Sequence, residues 1–135
     1  MSDSLPGGAA ADLGERDSLL DAIRDVLTNF GTVFYGLAGA EPNEVWDYLV
    51  FRRTELRKKN QVDFARDYTV AIVKENYIPE GFDFLVIDAI ETNTKLRLSQ
   101  NGAEYSYLFK GNTNLVVEVL TLHFVEPIKR CSIDG

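Results

Sequence analysis

Cysteine, histidine, methionine and tryptophan each occur once in these 135 residues. The single cysteine, Cys131, excludes an internal disulfide, a pattern that suits a reducing cytoplasm. One cysteine and one histidine cannot form a zinc site, and the acidic residues are too dispersed to replace them. No apolar run approaches the ~20 residues that a membrane-spanning helix needs. The N-terminal MSDSLPGGAAADLGER has no basic segment followed by an apolar one, so no secretory signal is expected. GLAGAEPNE lacks the Gly-Lys-Ser/Thr ending of a phosphate loop. There is no G-x-S-x-G elbow and no repeat of 20–50 residues. These absences leave no catalytic, cofactor-binding or metal-ligating residue to assign.

What is present fits one globular domain: 45% hydrophobic and 26% charged residues. Residues 1–16 are rich in Gly, Ala and Asp without a hydrophobic period and read as a flexible arm. The domain spans 17–130, and 131–135 form a short tail. Ser18 opens a helix, with Asp21 at capping-box spacing. Leu20, Ile23, Leu27 and Phe30 form its apolar stripe, and Gly31 is placed to end it. TVFYG, residues 32–36, reads as a short strand, and residues 37–44 as a loop.

Residues 46–56 and 65–77 read as two long strands of a hairpin. In the second, Tyr68, Val70 and Ile72 alternate with Thr69, Ala71 and Val73. Both sets are largely apolar, as in a central strand with partial cover on each side. A second helix is expected to begin near Pro79. Its buried face holds Phe82, Leu85, Val86, Ala89 and Ile90, and Asn93 ends it. The remainder is β: KLRLS, AEYSYLFKG and TNLVVEVLTLHFVEP. Asn101-Gly102 marks a hairpin, residues 110–114 a second turn, and Pro127 the end of the last strand. Helix, three strands, helix, three strands, with short connections, is an α+β two-layer sandwich. Its sheet is mainly antiparallel, with two amphipathic helices packed on one face and extended hairpins.

The charge distribution is uneven. The chain holds 14 basic and 21 acidic residues, a net charge of −7 that argues against general nucleic-acid binding. Residues 51–60 nevertheless hold five basic residues and one acidic. Against this segment's +4, the rest of the chain carries −11. The cluster is Arg52, Arg53, Arg57, Lys58 and Lys59, with Arg66 on the facing strand. Three readings stand: a solvated hairpin tip, docking onto the acidic surface of an identical chain, and contact with DNA. The second is a head-to-tail contact of the kind that closes rings.

Other residues carry less. His123 lies in an apolar strand pattern, and a sheet histidine with a hydrogen-bond partner outweighs a general base, because no nucleophile is visibly placed. Cys131 follows Lys129 and Arg130, which lower a thiol pKa, but it has no partner residue. Trp46, Tyr48 and Phe51, and the alternating Tyr105, Tyr107 and Phe109, fit a core or subunit interface. Without interleaved cations they fit a base-stacking surface less well.

The order of these elements resembles the tail terminator proteins of long-tailed bacteriophages, also called minor tail or tail-completion proteins. The resemblance lies in the helix DSLLDAIRDVL, the strand VFYG, the P..W.YLVF segment, VKENYIPEGFDFLVIDAI passing into a helix, and the closing AEYSYLFKGNTNLVVEVLTLHFVEPIKR. It covers about residues 17–130. It implies a virion structural protein without catalytic residues, assembled in the host bacterial cytoplasm and found in the tail or neck. The implied unit is a hexameric ring of identical subunits that caps the tail tube and stops its polymerisation. The major tail tube protein would lie on one side of the ring and the head-closure or neck protein on the other, with DNA passing through the bore. Alternatives are a head-closure or head–tail joining protein and, in a different class, a single-strand nucleic-acid-binding module.

Overall fold

The first apolar stripe becomes helix α1, Ser18–Leu27, in a computed structural model that describes residues 18–38 and 45–129. Ile23, Val26 and Leu27 are buried, with Leu20 and Phe30 packed beside them. Ser18 is the first helical residue and not the cap ahead of it; residue 17 lies outside the described residues. Gly31, at φ 149°, follows the helix in a conformation that favours glycine.

The chain continues through β1 (Thr32–Tyr35), β2 (Asp47–Lys58), β3 (Asp63–Glu75), α2 (Phe82–Asn93), β4 (Arg97–Phe109) and β5 (Val116–Lys129). The strands form one sheet in the order β1-β2-β3-β5-β4. Only β1–β2 is parallel; the other three pairs are antiparallel. The α+β architecture read from the sequence is therefore the one observed. The arm and the tail lie outside the described residues, as do Cys131 and most of the 37–44 loop.

Four local expectations are corrected. First, Asn101-Gly102 does not turn a hairpin, so the sheet has five strands where six were expected. Leu98 pairs with Phe124 and Ala103 with Leu122, which leaves residues 99–102 opposite His123 alone. This is a large irregular bulge, with Gly102 at φ 68°. The dipeptide signals a positive φ, which hairpins and bulges both require.

Second, Pro127 does not end β5. It pairs with Ala65 of β3, beyond the point where β4 begins with Arg97 opposite Val125. β5 has one neighbour there, so a missing N–H is tolerated as on an edge strand. Third, α2 starts at Phe82, capped by Gly81 at φ 90°, and Pro79 sits in the preceding turn. Fourth, Leu85 is 59% exposed, while Val86 and Ile90 are buried and Phe82 and Ala89 pack at the core's margin. Helix α2 is apolar almost all round, so periodicity alone does not select the side that the sheet covers.

Both helices lie on one face of the sheet. Their buried residues join Leu49 and Phe51 of β2, Tyr68, Val70 and Ile72 of β3, and Leu120, Leu122 and Phe124 of β5 in one core. The alternate residues form the opposite face, where Tyr48, Val50, Ala71, Val119 and Thr121 are half-buried and Thr69 and Val73 are buried. Among the described residues no helix packs there. No described helix is long and apolar enough to cross a membrane.

Candidate assembly surfaces at the sheet edges

The basic cluster sits on strand more than on loop. Arg52, Arg53, Arg57 and Lys58 belong to β2, and only Lys59 lies in the turn. By sequence this strand ends at Leu56 and leaves Arg57 and Lys58 in the turn, because charges interrupt the apolar run after Phe51. The strand continues because its backbone pairs with β3 as far as Lys58 opposite Phe64. β1 covers only residues 48–51 of β2, so among the described residues nothing pairs with the outer edge of residues 52–58. All seven are exposed. A register shift at Thr54 bends the edge further. Charges and a bulge on an unpaired strand are the usual protection against indiscriminate edge pairing.

The six cations are not equivalent. Arg57 donates from Nε and Nη2 to the two carboxylate oxygens of Asp67, at 2.7 and 2.8 Å. This fork holds the Asp67 carboxyl below its ordinary pKa and the Arg57 guanidinium above its own. Arg66 lies 4.0 Å from the buried carboxylate of Glu126. That carboxylate also accepts from the Tyr68 hydroxyl at 2.9 Å and pairs with Lys95 at 3.5 Å. Burial, then the Glu126 hydrogen bond, push the Tyr68 pKa up to about 12. Lys59 faces the charge of Asp63. Arg52, Arg53 and Lys58 have no ion pair among the described residues. By register, Arg53 and Lys58 stand on the helix-bearing side, opposite Tyr68 and Phe64, and Arg52 on the other, opposite Thr69.

The far edge of the sheet is β4, which pairs only with β5. Its aromatic residues are not core. Tyr105, Tyr107 and Phe109 are 52%, 63% and 59% exposed, and Leu108 is exposed as well. Beside them lies a cleft of about 550 Å³ lined by Tyr77, Ile78, Glu80, Asp83, Phe84, Tyr105 and Glu118, among others. Glu118 is fixed from two sides, accepting from the Ile78 amide at 2.7 Å and the Tyr107 hydroxyl at 2.8 Å. The Tyr105 hydroxyl reaches Asp83 at 3.3 Å. Burial and then Asp83 raise the Tyr105 pKa, and the Glu118 hydrogen bond and then burial raise that of Tyr107. Among the described residues, Glu80, Asp83 and Glu118 form no ion pair; Lys74, cross-strand from Glu118, pairs instead with Asp47 at 2.7 Å.

The alternating aromatics were visible in the sequence. Their acidic surroundings were not, because Asp83 comes from α2 and Glu118 from β5. No residue spacing links them before the sheet is assembled.

His123 lies on the face without helices. Its Nε2 is 3.1 Å from Glu104 Oε1 across β4–β5. A cleft of about 270 Å³ borders it, lined also by Thr54, Glu55, Asp67, Thr69, Ser99 and Asn101. The Ser99 hydroxyl accepts from the Asn101 amide, and among the described residues no hydroxyl hydrogen-bonds the imidazole. His123 therefore has the partner expected of a sheet histidine. Among the described residues no group of three or more His, Cys, Asp or Glu side chains is placed to hold a metal ion. No protein-family model matches the chain, and no curated protein matches it.

Proposed function

We propose that the protein is a structural assembly subunit of a bacteriophage virion, a tail terminator whose copies form a ring on the end of the tail tube. The observation that carries this reading is the division of the sheet into two unlike free edges. One bears Arg52, Arg53 and Lys58, and the other bears exposed aromatics beside Glu80, Asp83 and Glu118; none of these charges has an ion pair among the described residues. Opposite charges on different surfaces of one chain favour heterologous contact between copies, the geometry from which rings are built. The tail-terminator reading rests in addition on the order and texture of the elements. In that role the ring meets the major tail tube protein on one side and a neck protein on the other, and DNA passes through the bore without sequence recognition.

Sedimentation of the purified protein and imaging of it with tail tubes test the reading. A closed ring located at the tube end is expected. A strict monomer that never associates with tubes overturns the proposal, and a ring bound to the portal side of the neck replaces it with a head-closure role. Arg53→Glu combined with Arg57→Glu is expected to weaken assembly, more strongly at low salt than at high salt. Assembly unchanged by this pair removes the basic edge from the mechanism.

A further inference from the structure

We infer that the edge of β4 from Ala103 to Phe109 is the docking site for the basic free edge of β2 in a second copy of the chain. The inference rests on the assembly reading above and names the surfaces that make the contact. The two edges match in extent: residues 52–58 and 103–109 are each seven residues of strand, roughly 23 Å at ~3.3 Å per residue. Among the described residues neither has a neighbouring strand on its outer side. Each therefore presents a row of unpaired N–H and C=O groups that a second strand satisfies.

The edges differ in what guards them. Residues 52–58 carry four cations and one carboxylate, a strong barrier to pairing with a like edge. Residues 103–109 carry no Lys, Arg or Pro; they offer Tyr105, Tyr107, Leu108 and Phe109, all exposed, and the carboxylate of Glu104. An exposed, largely apolar edge of this length with a single carboxylate and no cation or proline to guard it is a surface that expects a partner.

Charge selects that partner as the basic edge. Asp83, Glu118 and Glu80 lie behind the tyrosines on the helix-bearing side, the side to which Arg53 and Lys58 point on β2. Arg52 lies on the opposite side, as does Glu104, which is opposite Thr121. A sheet continued from one copy to the next keeps the two sides separate, so each cation meets carboxylates of its own side. Tyrosine faces add cation–π attraction for the arginines. Two β2 edges repel one another, so the contact is heterologous and leaves one edge of each terminal copy open.

The test uses two full-length variants. Arg52→Ser with Arg53→Ser alters the basic edge, and Glu104→Lys with Leu108→Lys alters the β4 edge; all four side chains are exposed, and the substitutions put no opposite charges on the two altered edges that could pair them. Each variant alone is expected to self-associate at least about tenfold more weakly than the parent in sedimentation equilibrium. Mixed, each supplies the intact edge that the other lacks, so the mixture is expected to form one-to-one heterodimers that do not grow. Native mass spectrometry reads that stoichiometry. Two results overturn the inference: parental assembly by either variant alone, or a mixture no more associated than its components. If the variants assemble like a ring-forming parent, the assembly reading stands and only the surfaces named here fall. A parent that remains monomeric at every concentration overturns both. Thermal unfolding of each variant near the parent's midpoint separates loss of contact from loss of fold.

Discussion

The two faces of the sheet are built from the same strands and differ in what covers them. On one, Leu49, Phe51, Val70, Ile72, Leu120, Leu122 and Phe124 lie at or below 1% exposure beneath the two helices. On the other, Val50, Ala71, Val119 and Thr121 stay half-buried and Val73 and Thr69 keep 6% and 8% exposure, because no described helix crosses them. Burial of a large apolar side chain contributes about 1.5–3 kcal/mol, so the covered face supplies most of the hydrophobic stability. The other face contributes through neighbouring strands alone. The difference teaches that an apolar strand residue is a candidate for burial, and that the position of the helices decides whether it is buried.

Substitutions that act on one face at a time test this contrast. Phe124→Ala, beneath the helices, is expected to cost about 3–5 kcal/mol, since the cavity cannot collapse fully; denaturant unfolding measures it. Val119→Ala, five residues earlier on β5 and on the other face, is expected to cost about 1 kcal/mol or less by the same assay. Equal losses would mean that the uncovered face is packed as tightly as the core.

A smaller effect is expected at the polar end of the covered face. Tyr68→Phe removes the hydrogen bond to Glu126 and is expected to cost about 1 kcal/mol. It also changes the alkaline response. The folded state holds the Tyr68 proton more tightly than the unfolded chain does, with a pKa raised from 10.0 to about 12. The resulting stability is complete below pH 10 and is lost as the pH rises from 10 towards about 12. Loss of that alkaline dependence in the Phe variant, followed by circular dichroism, checks the assignment.

The smallest change is expected on the uncovered side, for Arg57→Gln. Its pair with Asp67 is solvent-exposed on the arginine side, and such pairs add little to stability. The Asp67 carboxyl is held low chiefly by this arginine. Its contribution is present above the ordinary carboxylate range and is lost as the pH falls through the lowered value. The variant should therefore flatten the acid limb of the stability profile and leave the neutral plateau almost unchanged.

Much of this layout was legible in the residues. The stripe of α1, the alternation of Tyr68, Val70 and Ile72, and the two sides of β5 follow from periods of 3.6 and 2, which are local properties of the chain. Leu85 was misread because α2 is apolar on several sides and only the sheet chooses among them. Asn101-Gly102 was misread as a hairpin because its positive φ serves a bulge equally well. For the candidate surfaces, the six cations could be located but not ranked. Arg57 and Arg66 have acidic partners on other strands, and Arg52, Arg53 and Lys58 have none among the described residues.

By itself the sequence determined the helices, the strand propensities, the charge division and the aromatic alternation of Tyr105, Tyr107 and Phe109, since each depends on neighbours within a few positions. The tertiary structure decided that those aromatics lie on an open edge, that β1 stops short of the outer edge of residues 52–58, and that Asp83 and Glu118 stand behind the tyrosines. Those facts depend on the strand order β1-β2-β3-β5-β4. Strand order is set by which pairings bury the most apolar surface at once, a property of the whole chain.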